Sequence, residues 1–151
     1  MADLFNRDFQ EFIETLNKVK VEYILVGGYA VILHGYTRST GDMDIWVNKT
    51  AENYHKLKKA FLLFGAPLFS EEEFLGKNFD VWSIGKEPNR IEILSEMKGV
   101  AFTEAYPLCK TFVQNGVEIK YIHLVHLIKA KEAAGRFKDK NDIEQLLKKN
   151  K

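Results

Sequence analysis

Cysteine is nearly absent from this 151-residue chain: Cys109 stands alone, which excludes an intrachain disulfide and a cysteine-based zinc site. Long apolar runs are also missing. The longest, "AVIL" and "AFLLF", fall far short of the roughly 20 residues that a bilayer-spanning helix needs. "MADLFNRDFQ" carries no secretory apolar region, so the expectation is a soluble protein of the reducing cytoplasm, with no membrane partner. Neither sign of charge dominates. The 22 Lys and Arg against 21 Asp and Glu leave a formal +1, which gives no global footprint for DNA or RNA but leaves room for a local basic patch. No G-x-x-x-x-G-K-[ST] occurs, and "GGYAVI" lacks the G-x-G-x-x-G spacing, so P-loop and dinucleotide-binding readings fail. Without a G-x-S-x-G or a nucleophile context around Cys109, a hydrolase triad has no support either.

What the chain does hold is enough for a core: 46% of its residues are apolar and 28% charged, in the range of globular proteins. No repeat, low-complexity segment or linker divides it, and its length suits a single domain over 1–151. Phe5, Phe9, Phe12, Ile13, Leu16 and Val19 recur at helical spacing, which predicts an amphipathic helix over about 4–20. "VEYILV" reads as a strand stopped by Gly27 and Gly28, and "YAVILHGY" as a brief buried helix ending near Gly35. "DMDIWVN" is a second strand. Thr50 then caps a helix that Gly65 and Pro67 end. "FDVWSIG" and "RIEILSEM" form a hairpin through "KEPN", and the Asn-Gly of "KTFVQNGVEIKYIHL" marks another. A helical pair closes the chain over about 123–149. The fold class is α+β, a mixed sheet flanked by helices.

Alternation puts Asp42 and Asp44 on one strand face and Met43, Ile45 and Val47 on the other. Two like charges on one face repel unless a cation sits between them or water screens both. A bare D-x-D is therefore equally a solvated face of an edge strand. "RIEIL" changes the balance, because it alternates too, with Arg90, Glu92 and Leu94 opposite Ile91 and Ile93. If the two strands pair, Asp42, Asp44 and Glu92 converge. Three carboxylates on rigid strands suit Mg²⁺, and two such ions about 3.5–4 Å apart stabilise the attacking and leaving oxygens of a displacement at phosphorus.

Gly27 and Gly28 follow a strand and open a helix, where bare backbone can approach phosphates; alone, such a pair is more often a tight turn. Lys131 joins the apolar stripe of Leu124, Leu127 and Ile128, so it needs an anion, either a triphosphate or a nearby carboxylate. Arg136 can reach a phosphate or complement the dipole at a helix end. Arg38 and Thr40, just before the acids, have donors suited to phosphate oxygens. His123 and His126 lack a third zinc ligand, and His34 reads as structural.

Together, "VGGYAVILHGYTRSTGDMDIWV" resembles the signature of the DNA polymerase β-like nucleotidyltransferase superfamily: strand, glycine turn, short helix, D-x-D, then a third acid on a later strand. "HGYTRSTGDMDI" and "LIKAKEAAGRFKDKNDIEQL" are similar to segments of its small bacterial and archaeal members related to AbiE-type abortive-infection toxins. The resemblance spans Tyr23 to Leu147. It implies transfer of a nucleoside monophosphate from an NTP to an acceptor hydroxyl on a tRNA, a protein or a small molecule, with release of pyrophosphate. Asp42, Asp44 and Glu92 would be catalytic and hold two Mg²⁺ ions; Gly27, Gly28, Arg38, Thr40, Lys131 and Arg136 would bind the nucleotide. The third acid here is Glu92, where Asp is the commoner choice, and its extra methylene alters metal spacing. A second expectation is a non-catalytic nucleotide-binding module, part of a toxin–antitoxin-like system with a partner protein or working as a homodimer. A third treats the phenylalanine stripe of the first helix as a dimer surface.

Overall fold

The computed structural model describes residues 3–79 and 81–151. Asp80, inside the first strand of the predicted "FDVWSIG" hairpin, lies outside the described residues. The chain starts in helix α1 (Arg7–Lys18), where the Asn6 side chain accepts the Phe9 N–H at 2.9 Å. Strand β1 (Tyr23–Val26) runs straight into helix α2 (Gly27–Leu33), and strand β2 (Asp42–Val47) follows. Helix α3 (Ala51–Phe64) begins at Thr50 and ends at Gly65, as the sequence predicts. A short helix α4 (Glu71–Leu75) precedes the hairpin of β3 (Trp82–Ile84) and β4 (Arg90–Leu94). Helix α5 (Phe102–Ala105) and a 3₁₀ turn (Tyr106–Leu108) lead to β5 (Lys110–Gln114) and β6 (Val117–Tyr121). Asn115 and Gly116, both at positive φ, make the turn between them, which matches the twist of the strands. Helices α6 (Leu124–Ala134) and α7 (Phe137–Lys149) complete the chain.

The six strands form one mixed sheet in the order β3-β4-β2-β1-β6-β5, parallel at β2–β4 and β1–β6 and antiparallel elsewhere. Both faces are covered. One carries Tyr23, Leu25, Met43, Ile45, Ile91 and Ile93 against α1, α3 and α4. The other carries Ile24, Val26 and Trp46 against α5, α6 and α7, with the Trp46 ring edge-on to Phe102 at 5.2 Å. Burial on both sides explains why β1 is apolar throughout while β2 and β4 alternate. Phe5, Phe9 and Phe12 are fully buried in the first layer, so the phenylalanine stripe is core and not an open dimer surface. Among the described residues no helix is long and apolar enough to cross a membrane.

Candidate functional site

The site grows from the second face of the sheet, at the end where its apolar residues give way to charge. Along β2 that face reads Asp42, Asp44, Trp46, and along β4 it reads Arg90, Glu92, Leu94. The parallel register sets Asp42 beside Arg90 and Asp44 beside Glu92. The convergence expected from sequence is therefore present in the backbone. β2 lies between β4 and β1, which removes the reading of the two aspartates as the wet face of an edge strand.

The carboxylates divide into two groups. Asp44 and Glu92 lie side by side on paired strands, and burial first, with the Glu92 charge second, pushes Asp44 up to about 7. Asp42 instead accepts a two-point fork from Arg90, Nη2 to Oδ2 at 2.9 Å and Nε to Oδ1 at 3.1 Å. Arg90 also reaches Glu87 at 3.2 Å and Glu92 at 3.7 Å. The sequence reading put Arg90 on this face and gave it no role; its place two residues before Glu92 was the available signal. Among the described residues no three His, Cys, Asp or Glu side chains stand together as a ready metal cluster. The donor set still fits a hard cation: Asp44 and Glu92 are oxygen ligands on paired strands, and the crowding of their charges is what a cation between them would relieve.

The glycines have a steric cause. Gly27 stands at φ +70°, and a Cβ there would run into the Asp44 carboxyl, its Cγ only 2.8 Å away. A Cβ on Gly28 would strike Thr40, whose own Cβ is 2.8 Å distant, and would approach the Arg38 guanidinium at 3.5 Å. The pair thus lets the start of α2 lie directly against three of the predicted site residues.

The basic residues are tied to one another through two buried aspartates of α7. Lys131 pairs with Asp142 at 2.9 Å and Asp139 at 3.3 Å, Arg38 with Asp142 at 3.2 Å, and Arg136 with Asp139 at 2.7 Å. Of the two partners open to Lys131 in the sequence, the carboxylate is the one in place. Arg136 sits at the N-cap of α7 and answers Asp139, in place of the α6 dipole it was expected to complement. Despite burial, which acts to raise it, Arg136 and Lys131 hold Asp139 below the ordinary carboxylate range. Thr40 Oγ1 donates to the Asp42 carbonyl at 3.4 Å. His34 donates to the Ile122 carbonyl at 2.7 Å and His123 caps α6, so both are structural.

A cleft of about 370 Å³ joins these parts. Gly27, Gly28, Arg38, Asp42, Asp44, Glu92, Lys131 and Arg136 all line it, leaving only Thr40 of the predicted set outside the wall. Lys138 lines it as well and acts on the charge of Asp44 from the opposite side. Lys138 falls within the "LIKAKEAAGRFKDKNDIEQL" segment that carries the resemblance, yet sequence reading gave it no site role, because nothing local shows that α7 turns its first residues toward the sheet. The wall is acidic where the strands end and basic along α6 and α7, a division suited to a bound cation and a polyanion.

No protein-family model and no curated protein matches the chain. Among solved structures the fold is similar to that of a Thermotoga maritima protein provisionally named a nucleotidyltransferase. The TM-score is 0.61, with 94% of this chain and 91% of that chain covered at 15% identity. The likeness establishes a shared fold.

Proposed function

We propose that the chain is a Mg²⁺-dependent nucleotidyltransferase that moves a nucleoside monophosphate from an NTP to an acceptor hydroxyl. The observation that carries this reading is the single cleft with Asp42, Asp44 and Glu92 on one wall and Arg38, Lys131, Arg136 and Lys138 around it. The fold shared with the Thermotoga maritima protein supports it, as does the D-x-D pattern. Asp44 and Glu92, with Asp42 beside them, are the groups to hold Mg²⁺. Bound there, the ion would offset triphosphate charge and acidify the acceptor hydroxyl.

In the reaction the acceptor oxygen attacks the α-phosphorus, the bond to the β-bridging oxygen breaks, and pyrophosphate leaves. Glu92 faces the cleft beside Asp44 and takes the hydroxyl proton. Arg136 and Lys138, at the start of α7, give the leaving phosphates positive partners, and Gly27 and Gly28 leave the backbone bare where the nucleotide lies. Lys131 and Arg38 act from behind, holding Asp139 and Asp142 neutralised so that the cleft stays net attractive to phosphate.

The fork that holds Asp42 favours one competing reading, a nucleotide-binding module without turnover. An assay separates the two. Each α-labelled NTP is incubated with Mg²⁺ and pools of tRNA, protein and small hydroxyl compounds. Label transferred by the wild type and lost in Asp44→Asn supports the enzyme. NTP binding with no transfer to any pool supports the module.

A further inference from the structure

We propose that Arg90 is the resident cation of the acidic site: it holds Asp42 so that the free protein takes one divalent ion, at Asp44 and Glu92, and admits a second only when nucleotide phosphates draw Arg90 away. This inference rests on the metal-dependent reading of the cleft.

The parallel register makes Arg90 the strand neighbour of Asp42, so backbone pairing holds the guanidinium beside the carboxylate. The fork uses both Asp42 oxygens, at 2.9 and 3.1 Å. A divalent ion on the same carboxylate would lie within a few ångströms of a guanidinium that is always charged, and the two cations would repel. Asp44 and Glu92 are strand neighbours, and Glu92 stands 3.7 Å from Arg90 Nε without a fork, so this pair keeps carboxylate oxygens that Arg90 does not occupy.

The arrangement is reversible. The Arg90 side chain is 37% exposed and that of Asp42 23%, so the fork can open without uncovering core. A planar guanidinium fits phosphate as well as carboxylate, and a triphosphate entering the cleft offers Arg90 a more highly charged partner. Asp42 is then released to the second ion. Nucleotide binding would complete the metal site, and an ion pair within the protein would keep it incomplete until then. Arg90 is accordingly a positioning residue.

The test counts bound Mn²⁺ per chain by electron paramagnetic resonance in the full chain, with fold checked by circular dichroism. The wild type should bind one ion alone and two with a non-hydrolysable NTP, whereas Arg90→Gln should bind two without nucleotide. Equal ion counts in wild type and Arg90→Gln, both without nucleotide, would overturn the role of Arg90 and leave the metal-dependent function standing. If neither protein binds Mn²⁺ with or without the analogue, the metal reading falls and this inference with it. Should Arg90→Gln not fold, the wild type decides alone. The nuclear Overhauser contact between Arg90 Nε–H and the Asp42 β-protons should persist in Mg²⁺ and disappear when the analogue is added. Loss of that contact in Mg²⁺ alone, or its survival with the analogue, overturns the proposal.

Discussion

Asp44 holds a proton that an ordinary aspartate would have lost. Its pKa rises from 3.8 to about 7 on folding, so between those values the folded chain binds a proton that the unfolded chain releases. Stability therefore falls as pH rises through this window and levels off above it. His34 opposes the trend, because burial lowers its pKa and favours the folded state as pH rises. Asp44→Asn removes only the first effect. The metal-free wild type should be more stable near pH 5 than near pH 8 relative to Asp44→Asn, and urea midpoints across that range measure the difference. Gly27 makes a second residue-scale case. Alanine there meets both a positive φ and the Asp44 carboxyl, whereas Gly116, at φ +80°, has nothing within 4 Å of an added Cβ. Gly27→Ala should cost about 1–3 kcal/mol, more than Gly116→Ala, in urea unfolding. It should also weaken Mn²⁺ binding by displacing Asp44.

Helices α6 and α7 hold their place through charge as well as packing. Lys131, Asp139 and Asp142 have side chains only 8%, 1% and 3% exposed, so removing the lysine leaves each buried carboxylate with one arginine, Arg136 on Asp139 and Arg38 on Asp142. Lys131→Met should destabilise the protein by about 1–3 kcal/mol, measured by denaturant midpoint, against about 0.5 kcal/mol or less for the exposed Lys148→Met. A loss confined to nucleotide affinity, with stability intact, would show instead that Lys131 serves the ligand and not the helix pair. This element also shows where sequence reading stops. Helical spacing placed Lys131 on a buried stripe, but its anions sit on the next helix, and no local pattern fixes how two helices turn against each other. The D-x-D strand, the glycine stop and the Thr50 and Gly65 helix ends were legible because each is written within a few residues. The Arg90 fork depends on a parallel register across 48 residues, and α4 and α5 are too short to show a period.

At the scale of the whole molecule, the cleft exists because two helical layers sandwich the sheet unequally. α1, α3 and α4 seal one face, while α6 and α7 cover the other up to Trp46 and leave the charged ends of β2 and β4 uncovered. Binding at that edge adds a polar bridge between the sheet, α2 and α7, which otherwise meet through the apolar cluster of Ile24, Val31 and Leu146. A ligand seated there binds the folded chain and not the unfolded one, so it must raise global stability. At a free concentration 100 times the dissociation constant the gain is about 2.7 kcal/mol. For a chain of this size that corresponds to a rise in Tm on the order of 5–10 °C. The rise should require NTP and Mg²⁺ together and vanish in the Asp42→Ala/Asp44→Ala protein. A shift produced equally by NTP without Mg²⁺ would mean that the basic wall alone binds the phosphates, and the carboxylates would then need another purpose. No shift with any NTP, in a protein that still binds Mn²⁺, would leave a metal site that takes a different polyanion.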